Sequence, residues 1–335
     1  MKYGVDCALG PTDSHGVHRY DLALPSPSSG DPRLDHEASI QPDHGPAWSV
    51  LIPAYNRPQR LQGCLDALAQ LAAPEGGFEV VVVDDGSEPA LQEQVEPPAG
   101  LALRILRQDN AGPATARNYA AKAARGDWLA FTDDDCHPHP GWLTSFQAAI
   151  NGDESVLAGG HTVNALTDCA PAAASQLLLN YLHEYFNDRQ GGATFFPSNN
   201  YGMSKSAFEQ IGGFDESFPL AAAEDRDFCD RAIEAGVRLV FAPEAGIDHY
   251  HGMNLRGFWK QHFNYGRGAY AYHRLRAERQ ADAVGCEPLR FYVSLVRYPL
   301  AKFGLLRGAK LSLLMAISQV ANVAGYLRQR WLGRD

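Results

Sequence analysis

The sequence predicts an α/β fold: a mostly parallel sheet covered on both faces by helices, followed by a helical C-terminal extension. Two observations carry this. Apolar runs begin near residues 48, 79, 102 and 127, and each interval leaves room for a helix or long crossover between parallel strands. Each run also ends in polar residues, namely Tyr55-Asn56-Arg57, Asp84-Asp85, Asn110 and Asp133-Asp134-Asp135. Ligands of such sheets sit outside the carboxyl ends of the strands, so these loops meet at one crevice.

Trp48 to Pro53 reads as a short first strand that stops at its proline. A helix follows, with Asn56 as N-cap, Pro58 in its first turn and Leu61, Cys64, Leu65, Leu68 and Leu71 at helical spacing. Phe78 to Val83 is apolar enough to be buried on both faces, and Asp84-Asp85-Gly86-Ser87 ends it. Leu101 to Leu106 supplies a third strand, and Gly112-Pro113 opens a helix running to about Ala124.

Trp128 to Thr132, the fourth strand, runs straight into three carboxylates with no basic residue between them. On an extended chain Asp133 and Asp135 face one way and Asp134 the other, so two carboxylates converge on one point. Keeping both ionised calls for a cation, and an all-oxygen site suits Mg²⁺ or Mn²⁺ completed by substrate phosphates. An isolated Asp triplet serves equally well as a solvated turn, so its neighbours decide. In the second half, Ala170 to Gln190 reads as a helix with Leu177, Leu178, Tyr181 and Tyr185 on one side. Glu224-Asp225-Arg226-Asp227 opens another, where acids also suit the helix dipole, and Asp227 pairs with Arg231 four residues on.

A chain of 335 residues can hold one large α/β domain with additions, or two modest domains. Its net charge of −10 excludes a general nucleic-acid binder. The charge is uneven: from Pro288 to the end there are eight Lys and Arg against one Asp, which leaves −17 on residues 1–287. Six scattered cysteines form no Cys-x-x-Cys pair and read as free thiols of a reducing compartment. Residues 1–30 lack a signal-peptide pattern, so a cytoplasmic location is expected. Residues 1–47, with six Pro, five Gly and no apolar period, are expected to form a disordered leader. No Gly-x-x-x-x-Gly-Lys-Ser/Thr or Gly-x-Gly-x-x-Gly follows the first strand, which disfavours P-loop and dinucleotide enzymes.

In their order and spacing, Ser49 to Arg57, Val80 to Ser87, Gly112 to Asn118 and Phe131 to Cys136 resemble the signatures of the family-two glycosyltransferases. Asn200, Gly212-Gly213-Phe214-Asp215, Glu224-Asp225 and Tyr265-Gly266-Arg267-Gly268 continue the resemblance, which covers roughly residues 48–270. It implies a GT-A fold, with a nucleotide-binding half (48–136) and an acceptor half (137–250) around one mixed sheet, and 251–335 as a basic helical extension. It further implies that Pro53, Ala54, Tyr55, Arg57, Asp84 and Asp85 surround the nucleobase and ribose, with Arg117 at the diphosphate. Asp135 would be the direct metal ligand, Asp133 would lie near the ribose or a metal-bound water, and Asp134 would assist. His249 or His251 would reach the metal or diphosphate, with His251 favoured. Asp225 would take the acceptor proton with Glu224 in support, and Asn200 and Arg226 would lie near donor sugar or acceptor.

The implied activity is Mn²⁺- or Mg²⁺-dependent, inverting transfer of a sugar from a nucleotide diphosphate, uridine favoured, to a hydroxyl of a surface polysaccharide or glycolipid. The alternatives are a non-catalytic module of the same fold that binds a sugar nucleotide, and a nucleotidyltransferase, which the missing Gly-rich loop disfavours. The Gln-x-x-Arg-Trp motif of processive synthases is absent, since Gln261 is followed by Asn264-Tyr265, and no apolar span reaches about twenty residues. One sugar per visit is therefore expected. From Pro288 onward, apolar residues at helical intervals alternate with Arg297, Lys302, Arg307, Lys310, Arg328 and Arg330. This pattern predicts either a cationic amphipathic helix on anionic lipid at the inner face of the cell membrane, near a lipid-linked acceptor, or a helix pair packed on the catalytic domain or on a second subunit.

Overall fold

The computed structural model describes residues 45–187, 192–218, 222–279 and 287–332. The expected leader, apart from its last three residues, lies outside the described residues. Eight strands form one sheet: β1 (Trp48–Ala54), β2 (Phe78–Asp84), β3 (Leu103–Arg107), β4 (Trp128–Thr132), β5 (Cys136–Pro138), β6 (Val156–Asn164), β7 (Asn200–Ser204) and β8 (Arg238–His249). Their order is β3-β2-β1-β4-β7-β6-β8-β5. The first four are parallel, as their spacing predicts. β7 then enters antiparallel between β4 and β6, β8 runs parallel to β6, and β5 closes the edge antiparallel to β8. The sheet is therefore mixed, and Thr132 is paired with Asn200, which carries the Asp triplet to the second half of the chain.

Alternation along β1 divides the core. Val50 and Ile52 face α1 (Pro58–Leu68) and α3 (Trp142–Ile150), packing with Leu61, Leu65, Trp142 and Phe146. Leu51 joins Phe131, Tyr201, Phe208 and Phe228 on the opposite face, covered by α2 (Pro113–Ala123), α5 (Lys205–Ile211) and α6 (Glu224–Glu234). Each such fully buried side chain contributes about 1.5–3 kcal/mol by leaving water.

The strand does not stop at Pro53 but continues to Ala54. Ala47 O accepts from Trp128 on β4 and Ala54 O from Asp85 beyond β2, so the odd residues of β1 face β4. Pairing with β4 ends at Leu51, so the N–H that Pro53 lacks leaves no ladder bond unmade. The N-cap of α1 is Arg57 rather than Asn56. Asn56 instead adopts φ +52°, donates its N–H to Ser87 Oγ and accepts the Glu88 N–H on its side-chain oxygen. Leu71 lies beyond the end of α1.

α4 (Ala170–Asn187), α7 (Leu255–Glu278), α8 (Leu289–Phe303) and α9 (Leu305–Leu332) build a third core. There Leu177, Leu178 and Tyr181 meet Phe258, Phe291, Leu295, Leu311, Leu314 and Met315. Glycine lets α7 and α9 approach closely: a Cβ on Gly266 would lie 1.8 Å from Asn322 O, and one on Gly325 1.8 Å from Phe263 O. One face of the extension thus packs on α4 of the α/β body. Among the described residues no helix is long and apolar enough to cross a membrane. Cys64, Cys136, Cys169 and Cys229 are free thiols, while Cys7 and Cys286 lie outside the described residues.

Candidate active site

β4 delivers the three carboxylates, but not in the extended form that would place Asp133 and Asp135 on one face. The Cys136 N–H donates to Asp133 O at 3.1 Å, closing a turn in which strict alternation does not apply. The three side chains therefore part. Asp133 accepts from Arg117 Nη2 at 2.7 Å. Asp134 is turned fully inward and pairs with Arg57, whose Nη2 lies 2.5 Å from Oδ1. Burial pushes the Asp134 carboxyl up to about 7, against the opposing pull of the Arg57 charge.

Asp135 is the most heavily contacted carboxylate of the site. Arg57 Nη1 (3.2 Å), Arg60 Nη1 (2.9 Å) and His251 Nδ1 (3.2 Å) meet its Oδ2, and His249 Nε2 lies 3.3 Å from Oδ1. Burial alone would raise this carboxyl, but hydrogen bonds from His249 and His251, with the charges of His249 and Arg57, hold it well below the usual carboxylate range. Both histidines arrive because β5 pairs with β8, placing His249 opposite Cys136, and because the Tyr250 N–H donates to Asp135 O. Their rings stack at 5.2 Å, and Gln261 Nε2 lies 3.1 Å from His251 Nε2.

These groups bear on a divalent cation. Asp135, Cys136 and His249 bring one possible ligand atom each within 4.8 Å of one another. Burial pushes the Cys136 thiol well above its ordinary pKa, and Asp135 adds to this, so the thiolate is disfavoured until a cation binds. Setting the thiol aside leaves the Asp135 carboxylate and the His249 imidazole, with His251 against the other oxygen of the same carboxylate. This set suits a transition ion such as Mn²⁺ better than Mg²⁺, which prefers an oxygen shell.

The second carboxylate pair opens α6, where Ala223 at φ +72° turns the chain into the helix. Glu224 is buried and accepts from Arg117 Nη1 at 3.1 Å. Burial pushes Glu224 up to about 7, and neighbouring Asp225 adds to this while Arg117 opposes it. Asp225 is part-buried and likewise raised by burial, against Arg117 and the backbone N–H groups of Arg226 and Ser198. The two titrate as a pair. Arg117 is buried between the two acidic groups.

The remaining predicted residues divide into those at the crevice and those spent on structure. Tyr55 is exposed at the end of β1, whereas Pro53 and Ala54 are buried in the strand. Asp84 accepts from the Ser87 and Leu91 N–H groups and from Arg107 Nη1. Asp85 accepts from Gln108 Nε2 and from the N–H groups of Ala111 and Gly112. Both thus pin the loops that border the crevice. Asn200 does not open toward a ligand: it is fully buried, its oxygen accepts from Trp142 Nε1, and its amide donates to His161 O and Ala245 O. Arg226 lies over the rings of Phe186 (4.9 Å), Phe195 (5.8 Å) and Tyr272 (5.8 Å), a cation–π setting. A cavity of about 340 Å³ lies between β6, α4, β8 and α8, lined by His161, Gln176, Asn180, Phe195, Phe241 and Tyr298, with none of the site carboxylates on its wall.

Three residues at the site carry little sequence signal. Arg60 stands three after Arg57 on the same helical face, the one pattern that could have found it. Asn199 is buried with an unpartnered Oδ1, and its Nδ2 lies 3.8 Å from Cys136 Sγ. Gln261 reads only as the remnant of a different motif.

Comparison with known proteins follows the same outline. The sequence profile described as glycosyl transferase family 2 matches residues 49–212. The chain is 30% identical over 242 residues to the pre-mycofactocin glycosyltransferase of Mycobacterium tuberculosis, covering 69% of this chain and 49% of that protein. It therefore spans about half the length of that relative. It is 29% identical over 231 residues to glycosyltransferase AglE of Haloferax volcanii, covering 67% of this chain and 73% of that protein. Among solved structures it is similar to mannosyltransferase PcManGT from Pyrobaculum calidifontis in complex with GDP-Man and Mn²⁺. That likeness has a TM-score of 0.58 over 87% of this chain and 88% of the other at 19% identity, and is one of fold.

Proposed function

Because the chain belongs to glycosyl transferase family 2, a glycosyltransferase with a GT-A fold, we propose that it moves one hexose from a nucleoside-diphosphate donor to an acceptor hydroxyl with inversion. The observation that carries this reading is the Arg117 bridge, which ties the Asp133 carboxylate at the end of β4 to Glu224 beside Asp225 at the start of α6. In this reading residues 48–136 hold the nucleotide, 137–250 the acceptor, and 251–335 form the extension.

Asp225 is the general base. A carboxylate whose pKa is raised by burial accepts a proton more readily than an ordinary one. It removes the proton of the acceptor hydroxyl as that oxygen bonds to the anomeric carbon. The bond from that carbon to the phosphate oxygen breaks, and its electron pair leaves with the nucleoside diphosphate. One displacement with no enzyme nucleophile inverts the centre. Glu224, held by Arg117, supports Asp225 as the second carboxyl of a pair that titrates together. Arg57 and Arg60, here on Asp134 and Asp135, offer charge to the donor phosphates.

Asp135 and His249, with His251 against the other Asp135 oxygen, would hold the divalent cation that the donor implies. When bound, such an ion supplies charge stabilisation to the departing diphosphate. The mixed ligand set favours Mn²⁺ over Mg²⁺. Uridine is the first base to test and guanosine the second, since the structural neighbour is described with GDP-Man. The proposed setting is the cytoplasmic side, which the free thiols support, with a growing glycan or lipid-linked sugar as acceptor.

The test is thermal stability against a panel of nucleoside diphosphates with and without Mn²⁺, because a ligand that binds only the folded state raises the midpoint. A metal-dependent rise with one base is expected. No rise with any nucleotide, metal present, contradicts the proposal and favours a module without catalysis.

A further inference from the structure

α8 and α9 bury one side against α4 and α7 and leave another in the open. On α9, Leu306 (91% exposed), Leu313 (63%), Val320 (60%) and Leu327 (55%) recur every seven residues, with Val323 (57%) and Trp331 (65%) near them. Seven residues is almost two full turns, so the row drifts by only about 20° per step and forms one stripe. At 1.5 Å per residue it runs about 38 Å along the helix. Scattered apolar side chains on a surface need no explanation, but six large ones in a continuous row mark an interaction surface.

The charges around the stripe select its partner. α8 and α9 together carry seven Lys and Arg and no acid. At 100° per residue, Lys310 and Arg328 fall about 40° to one side of Leu306, and Arg330 about 60° beyond Leu327 on the other. All three are exposed, and the Arg328 guanidinium lies over the Trp331 ring at 5.3 Å. This is an apolar centre between cationic shoulders, with an arginine and a tryptophan at one end. A second copy docking through the same stripe would bring these cations together with no acid on either helix to balance them. A polyanion without an apolar phase would leave the stripe wet. A bilayer with anionic headgroups satisfies both parts, and because no described helix can cross it, the helix would lie in its plane. The −17 balance on residues 1–287, against +7 on the remainder, would orient the rest of the chain away from such a surface.

We propose that the outward stripe of α9, with its basic shoulders, docks the protein on an anionic lipid surface. The proposal goes beyond the transfer reaction and does not depend on it. The test is flotation of the full chain with vesicles of phosphatidylcholine alone or mixed with phosphatidylglycerol, at low and high salt. Partition is expected to be roughly a hundredfold greater on the anionic vesicles and to fall as salt is raised. Leu313→Glu with Val320→Glu removes that binding, and because both side chains are exposed, the thermal midpoint and nucleotide binding stay as in the parent. No partition of the parent onto anionic vesicles overturns the proposal. So does a lipid-free dimer, by analytical ultracentrifugation, that the same two substitutions disperse, since the stripe would then be a self-association seam.

Discussion

Arg117 reaches Glu224 across 107 positions of the sequence, its Nη1 lying 3.1 Å from the carboxylate Oε1. Its other terminal nitrogen holds Asp133 at 2.7 Å, so a single buried cation is shared between the two acidic groups of the site. The consequences of that sharing can be measured.

Arg117→Gln leaves Glu224 and Asp225 without the charge that draws their pKa values down. Both carboxyls then rise further, and a base that must be ionised loses activity on the acid side first. The acid limb of kcat against pH is expected to move up by about one unit or more. Stability is expected to fall by about 3–5 kcal/mol, because the buried Glu224 and the part-buried Asp133 lose their partner. A pH–rate profile of variant and parent checks this, and an unmoved limb would show that Arg117 does not set the basicity of the pair.

His262 gives a second pH effect, away from the chemistry. It is buried against Phe258 and Tyr265, neither ring nitrogen has a hydrogen-bond partner, and burial pushes its pKa down to about 4. An unfolded histidine protonates near 6.5 while the folded one stays neutral until about 4, so the unfolded state binds more protons in between. Stability is therefore unaffected above about pH 6.5 and is lost as pH falls toward 4, by about 2 kcal/mol at pH 5. His262→Phe removes that slope, which urea unfolding at pH 7.5 and pH 5 would reveal. Equal slopes in variant and parent would mean that His262 is protonated in the folded protein.

Asn200 is expected to matter for stability rather than for substrate. Asn200→Ala orphans Trp142 Nε1 and the carbonyls of His161 and Ala245, a loss of about 3 kcal/mol. Nucleotide affinity measured well below the melting temperature should match the parent. A stable variant with weakened donor binding would restore the sugar-binding role that the sequence resemblance suggests.

What could be read from the sequence follows from how local the cause is. β1, β2 and β4 are largely apolar because both their faces are buried, so composition alone reveals them. β5 has three residues and β7 reads Asn-Tyr-Gly-Met-Ser, and both are strands only because distant partners supply the ladder. β6 is similar: Gly159 and Gly160 look like breaks, yet a Cβ at Gly159 would lie 2.0 Å from the Phe196 ring and one at Gly160 2.1 Å from Ala245 O. The identity of the acidic clusters was legible, but not their geometry. Two-residue alternation assumes an extended chain, and the Cys136–Asp133 hydrogen bond replaces it with a turn. The C-terminal pattern correctly gave amphipathic helices, but could not assign the buried face to α4 and α7, because no local signal names a partner.

The most direct test of the account is Asp225→Asn, which keeps the shape of the side chain and removes its basicity. Donor binding with Mn²⁺ and the thermal midpoint should match the parent, while transfer to the acceptor falls about a thousandfold, within the range for loss of a general base. Transfer at the parental rate, with binding intact, would contradict the assignment of Asp225 as the base and the single-displacement mechanism built on it.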